Sequence, residues 1–303
     1  MEGLQIRKNG DFIERVLLGT TELRLLSSNS GLEIMQQTIY KDRMFYLYAG
    51  DSTGVTEFVY ILNGKMEGEL NKEAIVLQAG DYFEVRGLTE PVHFTAKTDV
   101  TFLWITTEQS YSNVSDEINI LKELVSKVEE KDRYTSLHSD RVAKYSVQIA
   151  KQLNLSNEPL HSLYLAASFH DVGKVHVPEE ILNKPGRLTK EEFEIIKKHP
   201  VDSVDMVKHI YSGKVTKIIE QHHERLNGSG YPYGLKSEEI LFESKIIAVA
   251  DTFDAMTEDR AYRKAFTAQY ALDEIKSMIG SHYDEEVVAA FEAVLIEEGK
   301  IKK

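Results

Sequence analysis

Five of the chain's 10 histidines stand where their neighbours make metal chemistry possible. They are His138 in a helical stretch, His170 followed directly by Asp171, His199, and the adjacent pair His222 and His223, with Asp251 closing the apolar run 246–250. Imidazole nitrogens and carboxylate oxygens are the ligands of transition-metal sites, and adjacent pairs can serve two neighbouring ions from one helix end. Delivered by separate helices to the centre of a bundle, such a set makes a two-metal site. A lone helical histidine is more often packed or solvated than a ligand, and His93, His161, His176, His209 and His282 are read that way. With no cysteine in the chain, thiolate zinc, iron-sulfur ligation, disulfides and cysteine nucleophiles are excluded, so the shell must be built of histidine and carboxylate.

The elements that must position these residues are legible in the hydrophobic period. Beyond residue 136 nearly every run reads as helix, including RVAKYSVQIAKQLN, PLHSLYLAASFHD and SKIIAVADTFDAM. Two irregular loops interrupt the bundle, NKPGR at 183–187 and NGSGYPYG at 227–234, and loops set in a rigid scaffold are where function tends to sit. From Leu32 to about Thr107 the period is near two, in short β-branched and aromatic runs without intervening helices, which predicts an antiparallel barrel or sandwich. Asn63-Gly64 signals a hairpin, and Gly80-Asp81 another turn. Between these halves Ile118, Leu121, Val125 and Val128 recur at helical spacing, with the start placed near Ser115. That helix is either a linker packed on its own domain or a coiled-coil arm of a dimer. The expected organisation is an all-β barrel over 1–111, a connector helix over 112–135, and an all-α domain over 136–303.

Charge narrows the partners. The 303 residues carry 36 Lys and Arg against 49 Asp and Glu, a net charge of -13, which repels nucleic-acid polymers and anionic membrane surfaces. A small anion is repelled too, unless local cations reverse the field. The first residues lack the apolar stretch of a signal peptide, and apolar runs elsewhere are far shorter than a bilayer span, so a soluble cytoplasmic protein is expected.

The stretches HSDRVAKYSVQIA (138–150), FHDVGKVHVPEEILNKPGRLTKEEFEIIKKHP (169–200), HHERLNGSGYPYGL (222–235) and IIAVADTFDAMTEDRAYRKA (246–265) resemble, in that order, the HD-GYP subgroup of the HD-domain metallophosphohydrolases. The resemblance covers about Ile118 to the C-terminus. It implies that His138, His170, Asp171, His199, His222, His223 and Asp251 are metal ligands, with Asp171 the bridge between two divalent ions, iron first and manganese second. It implies that Lys174 meets the scissile phosphate and that Gly230, Tyr231 and Pro232 shape the substrate wall. Arg260 and Arg263, with Lys264 beside them, fall where the family holds phosphate and guanine. Glu224 is read as a partner orienting an imidazole.

The implied activity is hydrolysis of cyclic di-GMP to pGpG, with pGpG or GMP left open as the end product, in bacterial second-messenger signalling, by a homodimer that can meet a diguanylate cyclase (GGDEF) domain. Two other readings stay open: a hydrolase of another cyclic dinucleotide such as cyclic GMP-AMP, and a non-catalytic receptor acting through protein contacts. Tyr134 stands where some members carry a third-metal Glu, and Ser203 where Gly is usual, which is read as a packing adjustment.

The first half resembles a cupin barrel. Glu57 and Val59 stand near the place of the cupin metal-binding His pair, and His93 is the domain's single histidine. A sensory or dimerising barrel is therefore expected rather than a cupin enzyme.

Overall fold

A computed structural model describes residues 5–18, 21–29, 31–47, 54–70, 73–88, 92–112, 114–116, 119–120, 123, 133–184, 186–259 and 264–302, the side chains of 18, 133–137 and 157–158 excepted. The chain divides into two compact units, Met1–Glu123 and Leu124–Lys303.

The first unit holds strands β1 (Glu14–Leu18), β2 (Thr21–Asn29), β3 (Leu32–Ile39), β4 (Met44–Leu47), β5 (Thr56–Asn63), β6 (Lys65–Leu70), β7 (Glu73–Gln78), β8 (Tyr82–Arg86), β9 (Val92–Ala96) and β10 (Val100–Thr106). They form two open sheets, β1-β2-β3-β10-β5-β8 and β4-β9-β6-β7. The last eight strands pair as nested antiparallel couples, β3 with β10, β4 with β9, β5 with β8 and β6 with β7, which is the winding of a double-sheet jelly roll. Inward-facing Ile39, Phe45, Val59, Ile61, Met66, Phe94 and Phe102 interdigitate between the sheets. Of the expected barrel or sandwich, the two open sheets make a sandwich, because the alternation buries one face of each sheet without requiring their edges to join.

Nested pairing also overrules the hairpin expected at Asn63-Gly64. Gly64 does take a positive φ of 89°, but β5 and β6 lie in different sheets, so the turn carries the chain across the sandwich. A Cβ on Gly64 would overlap the Asp99 carbonyl, so close approach of another strand end, rather than hairpin geometry, requires the glycine. Helix resumes at Tyr111, four residues before Ser115, where the buried Glu33 carboxylate of β3 accepts the backbone N–H groups of Ser110 and Tyr111 at 2.8 and 2.7 Å. Ile118, Leu121, Val125 and Val128, on which the connector reading rests, lie outside the described residues.

The second unit is helical among its described residues: α1 (Arg133–Gln152), α2 (Asn157–Phe169), α3 (Glu179–Leu182), α4 (Lys190–Ile196), α5 (His199–Val207), α6 (Lys214–Gln221), α7 (Phe242–Thr257), α8 (Ala268–Ser277) and α9 (Glu285–Glu297), with 3-10 turns at Val172–His176 and Ser237–Glu239. Local chemistry sets several boundaries. Thr189 and Glu192 close a capping box at the start of α4, and Thr267 and Asp284 accept backbone N–H groups at the starts of α8 and α9. Leu163, Ile149, Ile218, Ile246, Phe253 and Phe291 are fully buried and make the core from which polar side chains reach inward. Among the described residues no helix is long and apolar enough to cross a membrane.

Candidate metal centre

Five helices bring together the residues that could ligate metal. His138 lies on α1, whose Val142, Tyr145 and Ile149 are buried. The apolar α2 ends at His170, and Asp171 opens the 3-10 turn that follows. His199 is the first residue of α5, His222 caps α6 with His223 next, and Asp251 sits on α7 after a run of buried residues from Ile246 to Ala250. His170 and His222 thereby stand at helix C-termini, the negative ends of the helix dipoles, which favour a cation.

The residues separate into two groups, Asp171 with His199, His222 and His223, and His138 with His170 and Asp251, the ligand atoms of each lying within 4.8 Å of one another. Asp171 faces both. Its Oδ1 is 3.1 Å from His199 Nε2 and 4.0 Å from His222 Nε2, while its Oδ2 is 3.6 Å from His138 Nε2 and 3.5 Å from His170 Nε2. Lys174, expected at the scissile phosphate, places its Nζ 2.5 Å from the same Oδ2.

Proton positions follow from the outer contacts. The Nδ1–H of His170, His199 and His222 donates to the carbonyls of Ala167, Ile196 and Ile219 at 2.8, 2.8 and 2.6 Å, so each turns an Nε2 lone pair toward the centre. The Nε2 atoms of His199 and His222 are only 3.3 Å apart, and His170 Nε2 and Asp171 Oδ1 are buried without a hydrogen-bond partner. Lone pairs converging in a buried space need positive charge between them, and this mixed nitrogen and oxygen donor set fits divalent cations.

Electrostatics agree. Burial first, then neighbouring imidazoles, pushes His170, His222 and His223 below the ordinary histidine range, in the neutral form that a metal requires. Burial raises the Asp171 and Asp251 carboxyls, but Lys174 and His170 for the former, and His138 for the latter, leave both well below the carboxylate range. His138 differs. Burial lowers it, but Asp251 at 3.2 Å and Asp254 at 2.7 Å outweigh that and hold it up at about 9.

Sequence reasoning missed the pair Asp254 and Arg141 and misjudged Ser203. Asp254, 1% exposed, accepts the His138 Nδ1–H and is gripped by Arg141 through bonds of 2.6 and 2.9 Å. The i,i+3 spacings of Asp251 with Asp254 and of His138 with Arg141 were the available signal. Ser203 is more than a packing adjustment: its buried hydroxyl donates to the His170 carbonyl and accepts from the Gly173 N–H, each at 2.8 Å. A Cβ on Gly173 would overlap the His199 carbonyl, which explains the glycine between Asp171 and Lys174.

The reading of Glu224 is corrected. Its buried carboxylate accepts the backbone N–H groups of Tyr233, Gly234 and Leu235 at 2.7, 3.1 and 2.9 Å, so it pins the 227–234 loop instead of orienting an imidazole. In that loop a Cβ on Gly230 would overlap the Arg225 amide, and the Tyr231 ring lies 4.7 Å from that of His223. Burial pushes the Tyr231 phenol up, so it stays protonated. Pro232, half-buried, follows Tyr231 across a cis peptide. Lys264 is exposed, whereas Arg260, Arg263 and the Tyr134 side chain lie outside the described residues. His93, His161, His176, His209 and His282 belong to neither cluster.

Known proteins resemble this chain over part of its length. A model of the HD domain matches residues 114–287. A cyclic di-GMP phosphodiesterase of Pseudomonas aeruginosa is 38% identical over 175 residues, 57% of this chain and 42% of that protein. A cyclic di-GMP phosphodiesterase of Thermotoga maritima is 38% identical over 190 residues, 61% of this chain and 52% of that protein. A 3'3'-cGAMP-specific phosphodiesterase of Vibrio cholerae is 41% identical over 151 residues, 50% of this chain and 35% of that protein. The chain spans about half the length of these curated relatives, or less.

Proposed function

Because the chain belongs to the HD-domain family, we propose that its helical unit is a metal-dependent phosphodiesterase that hydrolyses cyclic di-GMP to pGpG. The observation that carries this reading is the double cluster joined by one carboxylate, with Asp171 Oδ1 turned to His199 and His222 and Oδ2 to His138 and His170. His138, His170 and Asp251 would hold one divalent ion, and His199, His222 and His223 the other, with Asp171 shared; iron is the first assignment and manganese the second. When bound, such a pair supplies Lewis acidity that activates water and stabilises the phosphoryl oxygens of an in-line displacement.

The chain's own residues do the rest. Lys174 brings an ammonium to the edge of the cluster, where its charge can move from Asp171 to a phosphate oxygen as negative charge grows there. Tyr231, protonated and with its ring 4.7 Å from that of His223, walls one side of the site. Glu224 fixes that wall by holding three consecutive backbone amides of the loop. Arg260 and Arg263 would meet the second phosphate and a guanine edge, so that local cations reverse the field of a chain whose net charge is -13.

The organisation we propose around this enzyme is a sensory or dimerising unit over 1–111, a connector over 112–135 and the hydrolase over 136–303. It would act as a cytoplasmic homodimer able to meet a diguanylate cyclase domain. A second reading, cleavage of cyclic GMP-AMP, is favoured by the likeness to a 3'3'-cGAMP-specific enzyme at 41% identity. Competition between the two cyclic dinucleotides, with products identified by mass spectrometry, tests the assignment. Preferred release of pGpG supports it, and preferred cleavage of cyclic GMP-AMP transfers it to the second reading.

A further inference from the structure

An aromatic path leads outward from the metal cluster. The ring of His223 lies 4.7 Å from that of Tyr231, and the Tyr231 ring lies 6.1 Å, edge to face, from that of Phe193 on α4. Tyr231 also stands 6.3 Å from His199, so two of that cluster's three histidines back the same phenol. Phe193 ends the path with 42% of its surface in water, on a helix that has no buried residue. Lys197, one turn further on, sets its Nζ 5.0 Å from the Phe193 ring centre and 6.0 Å from that of Tyr231. Its other contact is an ion pair with the exposed Glu194 at 2.6 Å, of a kind that holds a surface lysine only weakly.

An exposed ring, a cation beside it and a buried phosphate-type site two rings away are the elements of nucleotide recognition. Every base has a π-face that stacks on an aromatic side chain, and a nearby ammonium suits the adjoining backbone phosphate. We propose that Phe193 is a stacking platform for one purine base of the substrate, with Lys197 as the cation that accompanies it. The proposal rests on the reading of the site as a cyclic dinucleotide phosphodiesterase, and it names a specificity-determining residue on α4, outside the ligand set and outside the 227–234 loop. Phe193 acts on binding: it belongs to neither ligand group and meets the site through Tyr231, so it governs KM in preference to kcat.

The test uses the full chain loaded with manganese and cyclic di-GMP as the probe. Phe193→Ala should raise KM about 5- to 150-fold, the range given by loss of one base-aromatic stack, with kcat held. Phe193→Trp should restore KM, and its emission should be quenched as cyclic di-GMP binds, read against wild type, in which Trp104 is the one tryptophan. Unchanged KM in Phe193→Ala, a fall in kcat at constant KM, or no quenching in an active Phe193→Trp protein overturns the platform and leaves the enzymatic reading intact. Metal-loaded wild type that neither binds nor cleaves cyclic di-GMP overturns the enzymatic reading itself and the platform with it.

Discussion

Replacing Asp254 by Asn tests whether the cluster depends on a residue that touches no ion. Asp254 is 1% exposed and sits between two partners, accepting from His138 Nδ1 at 2.7 Å and from Arg141 at 2.6 and 2.9 Å. Asn keeps the shape, and with its oxygen at the Oδ2 position it can still accept from His138 and from one Arg141 N–H, but its NH2 group then faces the Arg141 Nε–H, donor against donor, and the negative charge beside His138 is lost. Loss of a partner that orients a metal-bound imidazole typically costs 10- to 100-fold in metal affinity, or about 1.4–2.7 kcal/mol. Arg141 is a third exposed and can rehydrate, so the accompanying loss of fold stability should stay near 1–2 kcal/mol.

A pH signature accompanies the affinity loss. Asp251 and Asp254 outweigh burial to hold His138 at about 9. An ion must therefore displace a proton from His138 below that pH, and wild-type affinity should rise with pH until about 9. Without the Asp254 charge this rise should end at lower pH. Calorimetric titration of chelator-treated protein with manganese, from about pH 6 to 9, reads both effects. Unchanged affinity and an unchanged pH dependence in Asp254→Asn would refute the argument.

Three further substitutions probe the scaffold. Ser203→Ala strands the buried His170 carbonyl and Gly173 amide and should lower stability by about 1–3 kcal/mol, read by urea denaturation; no change would mean that another group serves both. Gly230→Ala sets a Cβ against the Arg225 amide, so the loop must shift. A lower melting temperature and a higher KM should appear together, and a variant indistinguishable from wild type contradicts the crowding. Glu298 is raised by burial but brought down to about 2 by Gln148, Lys300 and Lys144. A depressed carboxylate contributes stability above its ordinary value of 4.5, and that contribution fades as pH falls through about 2. Glu298→Gln should therefore be less stable than wild type near neutrality, by about 1–2 kcal/mol after allowing for solvent screening, and should converge with it in acid; a pH-independent difference would contradict the sign.

The ligand-type residues were legible because their signals are local: His170 beside Asp171, and His222 beside His223, read as paired ligands from chain order alone. Asp254 was not, because its function depends on α1 and α7 bringing it to His138 across 116 positions of sequence. Ser203 looked like a small-residue substitution, and only the approach of α5 to the 3-10 turn turns its hydroxyl into a bridge. In the first unit, alternation over 32–107 identified β3 to β10 but left β1 and β2 unread, and the Asn63-Gly64 turn was misassigned. Turn chemistry specifies a bend, while nested long-range pairing decides which strands it joins. Glu224 shows the same limit: its place after the histidine pair suggested an imidazole partner, and the loop's backbone amides took the carboxylate instead.

The most direct test of the central claim is metal analysis joined to product identification on anaerobically purified protein, with Asp171→Ala alongside. Two divalent ions per chain and release of pGpG from cyclic di-GMP are expected of wild type, with both lost together when the carboxylate facing both clusters is removed. A single ion per chain, or full turnover in Asp171→Ala, would contradict the account.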